Sequence, residues 1–544
     1  METVHCCCRE KIDYLCKLFL NTQNYRMIID LKKEQVGVAL FYEILFNRAK
    51  VDISKSAFIE MEASYNFLNT FIYNKIIYGI NTGFGPMAQY RVPDSALTSL
   101  QYNLIRSHCT GVGAMVDPLY VKSAMICRLV NVLHGNSGVH PQVAELLREY
   151  INRDIIPVVF EHGSVGASGD LVQLAHLALG LIGEGDAHYK GSIRSVNEIL
   201  KIEGLTPISV HIREGLALVN GTSMMSGIGI LNLIYATRLF NWAIAASCMI
   251  NEIVDSCDDS FSVALNSAKK HLGQLHVAQA MSSFLADSKM IQKRSDTLYK
   301  ERPVQTVFKK KVQEYYSLRC VPQILGPVLD TILYAQTVLV NEVNSVSDNP
   351  IIDVEAATVW HGGNFHGDYV SLEMDKLKIA ITRLTMLMER QLNFLVNPRL
   401  NEKFPPFVNL GVLGLNLGMQ AAQFTATSTT AESQTLCFPN YIHSIPNNND
   451  NQDMVSMGTN SAQLCKKVIE NGFEVMSIYM MSLIQAIETI NRDNMSPHTL
   501  EVYQNLRAIV PKFVEDTPKY REIASIKDYL MSHSLDILHD ESFA

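Results

Sequence analysis

The chain has 544 residues, 47% of them hydrophobic and only 18% charged, against roughly 25% charged in an average soluble domain. That length allows several domains or one large one, and the shortage of charge points to extra buried surface, most simply between subunits. A formal net charge of -8 argues against a nucleic-acid binder, which needs a basic stripe to displace counterions from phosphates.

Along the chain, residues 1–24 read as an N-terminal extension. Its Cys6, Cys7 and Cys8 beside His5 make a poor metal site, because three consecutive side chains point apart and no second ligand pair follows. The apolar patch Leu15 to Leu20 is interrupted by Lys17 and does not describe a signal peptide. The eleven cysteines include no Cys-x-x-Cys pair, so reduced thiols and a cytoplasmic location are expected. Helical periodicity dominates the rest. Leu171 to Leu181 reads as a helix behind a glycine-rich turn, and Asp375 to Val396 as an amphipathic one with Lys376, Arg383 and Glu389 on its polar face. From Ile469 through Phe473, Met476, Met480, Leu483, Ile487 and Ile490, apolar steps of four and three make a helix-bundle seam. Two stretches, Gly215 to Thr237 and Phe404 to Asn449, are nearly free of charge, Glu432 being the exception. Both carry too many polar residues or prolines for a bilayer span, so they read as buried protein interior, with no membrane partner. With no linker or repeat, an intimately packed, mainly α protein is expected.

Turn-rich segments punctuate the helices: Tyr78 to Gly85, Glu161 to Asp170, Leu218 to Ser223, His361 to Gly367 and Asn447 to Asp453. Gly79-Ile-Asn-Thr-Gly83-Phe-Gly85 has neither the Walker spacing nor Gly-x-Gly-x-x-Gly. Gly166-Ala167-Ser168-Gly169 is not a Gly-x-Ser-x-Gly elbow, and no α/β pattern surrounds it. His361 and His366 lack the spacing of a zinc pair. The triplet Ala167-Ser168-Gly169 has another chemistry open to it. A glycine amide can approach the carbonyl two residues earlier, alanine adds little bulk, and serine can lose its hydroxyl as water to leave a methylene. Taken alone, the triplet reads as a flexible turn capped by Ser or Asp ahead of a helix.

Taken together, Tyr78-Gly-Ile-Asn-Thr-Gly-Phe-Gly85, Gly163-Ser-Val-Gly-Ala-Ser-Gly-Asp170, Gly215-Leu-Ala-Leu-Val-Asn-Gly-Thr222, Tyr316-Ser-Leu-Arg-Cys-Val-Pro-Gln323, Ser347-Asp-Asn-Pro350 and Gly362-Gly-Asn-Phe365 resemble the aromatic amino-acid ammonia-lyases and related aminomutases. The resemblance spans about residues 30 to 530. It implies a long-helix bundle of the ammonia-lyase/fumarase-like type, a homotetramer with shared active sites. Residues 25–218 would form the N-terminal region bearing the electrophile loop and the base, and 219–544 the central bundle and C-terminal helices. Ala167, Ser168 and Gly169 would condense into a methylidene-imidazolone, with no external cofactor or metal. The chemistry needs such a group, because an amine is a poor leaving group and a benzylic hydrogen is weakly acidic.

The resemblance also implies roles. Tyr78 matches the base. A tyrosine ionises near pH 10 in water, so a phenolate at neutral pH needs about 4 kcal/mol of preferential stabilisation. Arg319 matches the residue that grips the substrate carboxylate, a task suited to a planar guanidinium. Gln313, Tyr316, Asn220 and Asn349 match polar groups that orient electrophile and substrate, and Phe365 an aromatic packed beside the prosthetic group. Glu432 matches an active-site glutamate, and its isolation in a charge-free stretch suggests a buried, paired or shifted carboxylate.

Substrate choice rests on Ser107-His108, a pair similar to that of histidine-type members. Asn451-Gln452-Asp453-Met454 instead resembles the Asn-Gln-Asp of phenylalanine and tyrosine enzymes. Gly85-Pro-Met-Ala-Gln-Tyr90, Val312-Gln-Glu-Tyr-Tyr316 and His366-Gly-Asp-Tyr369 are similar to tyrosine ammonia-lyases of the Bacteroidetes type, which also carry Ser-His. An imidazole can hydrogen-bond a phenol or another imidazole. The expected reaction is therefore L-tyrosine to 4-hydroxycinnamate and ammonia. Histidine deamination, an aminomutase and a non-catalytic helical scaffold are the alternatives.

Overall fold

A helix apolar all round belongs inside a protein, and Ser223–Ile253 meets that description with only Arg238 and Glu252 charged among 31 residues. All of it but Thr237 is buried. At 1.5 Å per residue it spans about 46 Å and forms the axis of the molecule. The computed structural model describes residues 26–537 apart from 32, 301–305, 309 and 310; the N-terminal extension and its cysteine cluster lie outside the described residues.

Close packing along this central helix depends on small residues. A Cβ on Gly227 would sit 2.4 Å from the backbone nitrogen of Ala124 in helix Pro118–Leu133. The polar residues of the helix hold the chain's C-terminal helix, Tyr520–Ser532. Asn241 Nδ2 donates to the Leu535 carbonyl at 2.8 Å and Trp242 Nε1 to that of Leu530 at 3.1 Å, and the Arg238 guanidinium reaches the Met531 carbonyl. A helix C-terminus leaves such carbonyls without intrahelical partners.

Three long helices surround the axis. Val321–Val343 runs antiparallel to it, with Glu342 beside Thr222 at one end and Leu318, just before the helix, bonded to Asn251 at the other. Asp368–Val396 and Gly458–Ile487 run parallel to it, as the pairs Ser247 with Gln391 and Asn232 with Ala462 show. The predicted seam from Ile469 to Ile487 is buried within the last of these, while Ile490 lies beyond its end. Leu171–Leu181 is helical over the predicted span. Strands are short. One antiparallel pair, Val112–Met115 with Phe160–His162, brings Val112 opposite His162 and leads directly into the glycine-rich turn.

One expectation fails. The stretch from Phe404 to Asn449 is not buried interior within the chain: Val412, Leu413, Leu415, Leu417, Phe424, Phe438, Ile442 and Ile445 are all more than half exposed. Low charge there marks an apolar outer face, not a core.

Candidate active site

Five turns converge at the N-terminal end of the central helix. Ala167 is buried, and Gly169 adopts a left-handed φ of +74° beside Gly221, whose carbonyl oxygen would lie 2.0 Å from any Cβ added to Gly169. No other residue fits there. The Ser168 carbonyl accepts from Asn220 Nδ2 at 2.9 Å and from the Gly221 N–H at 3.4 Å, and Ser168 Oγ accepts from Gln452 Nε2 at 2.8 Å. Asn220 Oδ1 is buried with no protein partner. The turn is held from behind by Asp170, which is fully buried and accepts from Ser164 Oγ at 3.0 Å, the Met225 N–H at 2.8 Å and the Thr459 hydroxyl. Burial pushes the Asp170 carboxyl up, and these hydrogen bonds work against that push. Although Asp170 precedes helix Leu171–Leu181, its side chain does not cap it. The carboxylate serves the turn instead.

Tyr78 approaches from a second turn. Its hydroxyl oxygen accepts the Gly85 N–H at 3.1 Å, and its ring packs edge-on to Phe84. Gly85 abuts the Asn447–Gln452 turn, since a Cβ there would meet Asn448 Nδ2 at 2.6 Å. The same turn therefore touches the Tyr78 loop through Asn448 and Ser168 through Gln452, while Asn451 is exposed. Gln101, wholly buried on helix Leu97–His108, fixes this arrangement by donating to the Gly79 carbonyl at 3.1 Å and accepting the Leu216 N–H at 3.0 Å. Sequence reasoning missed it, since a lone glutamine on a helix gives no signal of partners so far along the chain.

Asn349 and Phe365 join the same end. Asn349 Oδ1 accepts the Gly362 N–H at 2.8 Å, and the Gly367 N–H, two residues after Phe365, donates to the Gly166 carbonyl at 3.1 Å. Two fully buried arginines support the floor. Arg128 donates to the carbonyls of Asn220 and Ala217 at 2.8 and 3.0 Å, and Arg213 to that of Pro350 at 2.6 Å while pairing with Asp348 at 2.9 Å. Burial lowers Arg128 to about 10, still protonated at neutral pH.

Ser107 and His108 end helix Leu97–His108. His108 Nδ1 lies 2.9 Å from the Leu104 carbonyl. A carbonyl only accepts, so Nδ1 carries the proton and Nε2 is the acceptor of the ring. Desolvation lowers the His108 pKa, which favours this neutral form.

The remaining predicted residues lie elsewhere. Gln313, Tyr316 and Arg319 cluster at the opposite end of the central helix, about 40 Å from Ser168 by helical rise. There Arg319 Nη1 donates to Gln313 Oε1 at 2.6 Å and its guanidinium lies 4.7 Å from the centre of the Tyr316 ring. They line an open cavity of about 660 Å³ with Lys311, Arg390 and Phe394. Glu432 is paired but not buried. Its side chain is 51% exposed, accepts from Asn471 Nδ2 at 2.7 Å, and pairs with Lys467 at 3.7 Å, part-way along Gly458–Ile487. Its isolation in sequence reflects the uncharged outer face of helix Gln420–Leu436, where Thr425, Thr427, Ser428, Gln434 and Thr435 are exposed, not burial.

This is a mainly helical protein whose Ser168 sits in a glycine-locked turn with two donors on its carbonyl, next to a turn that also touches the Tyr78 loop. The family model described as "Aromatic amino acid lyase" matches residues 36–508, and the chain belongs to that family of carbon–nitrogen lyases. It is 38% identical over 461 residues to a tyrosine 2,3-aminomutase of Chondromyces crocatus, covering 84% of this chain and 87% of that protein. It is 36% identical to a histidine ammonia-lyase of Geobacillus thermodenitrificans, covering 85% and 88%. The crystal structure of a tyrosine aminomutase from Streptomyces globisporus superposes with a TM-score of 0.89 at 32% identity, covering 93% and 97% of the two chains.

The family supports a methylidene-imidazolone prosthetic group, and the residues present fit one. Gly169 holds a left-handed conformation where no Cβ fits, Ala167 beside it is small and buried, and the buried Asn220 amide is placed on the Ser168 oxygen that the ring would retain.

Proposed function

We propose that this protein deaminates L-tyrosine to 4-hydroxycinnamate and ammonia. The observation that carries the substrate is the His108 ring: with Nδ1 committed to Leu104, Nε2 presents a lone pair suited to the O–H of a phenol. Phenylalanine would leave that acceptor unpaired, and sites built to bond a hydroxyl discriminate strongly against analogues lacking it. Met454, where histidine enzymes carry a histidine, removes one polar group that an imidazole substrate would use.

The prosthetic group, formed from Ala167, Ser168 and Gly169 with loss of two waters, would supply an electrophile for the substrate amine. Asn220 Nδ2 and the Gly221 N–H polarise the Ser168 carbonyl. Tyr78 removes the β-proton. Its hydroxyl oxygen is held in place by the Gly85 N–H at 3.1 Å. Arg319 binds the substrate carboxylate, with Gln313 and Tyr316 holding the guanidinium. Since those three stand about 40 Å from Ser168 in one chain, they serve the site of another copy. The exposed apolar run from Val412 to Leu417 gives such copies a surface to bury, in keeping with a homotetramer with shared sites.

A product assay with tyrosine, phenylalanine and histidine supplied separately tests this reading. Preferential 4-hydroxycinnamate supports it and preferential urocanate overturns it. The similarity to tyrosine 2,3-aminomutases favours a second reading, in which Tyr78 and the same site return the amine to the β-carbon. Accumulation of β-tyrosine ahead of 4-hydroxycinnamate in the same assay would establish that reading.

A further inference from the structure

Immediately after His108 the chain makes a tight turn in which the Thr110 N–H bonds the His108 carbonyl at 2.8 Å. The next N–H, that of Gly111, donates to Nε2 of His176 at 3.2 Å. A Cβ on Gly111 would lie 3.0 Å from that Nε2 and 3.2 Å from Cβ of Phe160, so glycine is what allows the backbone so close. Phe160 packs edge-on against the His176 ring, 5.3 Å between centres. His176 belongs to helix Leu171–Leu181, which follows Asp170, two residues after Ser168. One imidazole thus ties the turn that presents His108 to the helix that anchors the reactive serine. Because Nε2 accepts from an N–H, the proton of the neutral ring is on Nδ1. Burial, which lowers the His176 pKa, supports that form.

We propose that His176 is a positioning residue for substrate selection: by accepting the Gly111 N–H it fixes the separation of His108 from Ser168, so the preference for tyrosine is set partly from behind the site. The proposal rests on the reading of His108 as the phenol contact. A merely structural role would lower turnover of every substrate together, whereas a positioning role moves the ratio of kcat/KM for tyrosine to that for phenylalanine.

The test compares His176→Phe, which keeps a packed ring without the acceptor, with His176→Gln, whose amide oxygen can replace it. His176→Phe should lower the ratio about tenfold, the scale of one lost hydrogen bond, with phenylalanine turnover within about twofold of the parent, and His176→Gln should restore most of the ratio. Gly111→Ala, which pushes the turn off the ring, should lower the ratio as His176→Phe does and decides the matter if His176→Phe does not fold. His108→Phe is measured alongside. If His108→Phe collapses the ratio but His176→Phe and Gly111→Ala leave it unchanged, or depress both substrates equally, the role of His176 is overturned and that of His108 stands. If His108→Phe leaves the ratio unchanged, the phenol contact itself is wrong and the proposal falls with it.

Discussion

The two ends of the central helix differ in how finished they are. At the N-terminal end, Ala167, Asp170, Asn220 and Asn349 are buried and bonded among five turns of one chain. At the other, Gln313 and Tyr316 are exposed around an open cavity, and Arg319 Nε is buried without a partner. One end is a complete floor and the other a set of polar groups with nothing yet to hold. The difference separates a packed floor from an exposed cluster about 40 Å away, which is why the proposed function has Arg319 serve the site of another copy.

Substitutions sharpen that contrast. The largest effect is expected from Ser168→Ala: turnover should fall by at least about 10³-fold, and intact mass should no longer show the deficit of about 36 Da that cyclisation leaves in the parent. Next, Ser168→Ala and Arg319→Ala, each impaired alone, should recover activity when co-expressed or refolded together. Random mixing in a symmetric assembly restores up to about a quarter of sites. Recovery absent from a mixture shown to form mixed oligomers would break the comparison. His108→Phe should lower the tyrosine-to-phenylalanine ratio by roughly 10- to 100-fold. The smallest effect is that of pH. Burial holds the His108 pKa below the usual value near 6.5, so the ratio should be flat above pH 7 and decline only as acid protonates Nε2 and turns an acceptor into a donor. A ratio that falls already between pH 8 and 7 would count against the neutral ring.

The sequence showed the long helices plainly, because periodicity over many turns records a buried face. Leu171–Leu181 and the core of Gly458–Ile487 were legible for that reason. The turn at Ala167 to Gly169 was legible only through the six segments together, although crowding by Gly221 does permit only glycine at 169. The run from Phe404 to Asn449 was misread because an uncharged stretch looks alike whether it faces its own core or the outside of its subunit, and Glu432 within it is paired but not buried. Gln101, Arg128 and Arg213 were not visible, since their partners are carbonyls and amides scattered along the chain, and any residue can offer those.

The central helix carries one more consequence. With Ser168 near one end and Arg319 near the other, and Arg319 proposed to serve another copy, the length of this helix would act as a gauge between copies. Inserting a single residue would displace one end by about 1.5 Å and turn it by about 100° relative to the other, which under that proposal takes Arg319 out of reach of the site it serves. Variation in this protein should therefore accumulate as exchanges of one side chain for another along the helix, while changes in its residue count should be excluded even at positions far from any reacting atom.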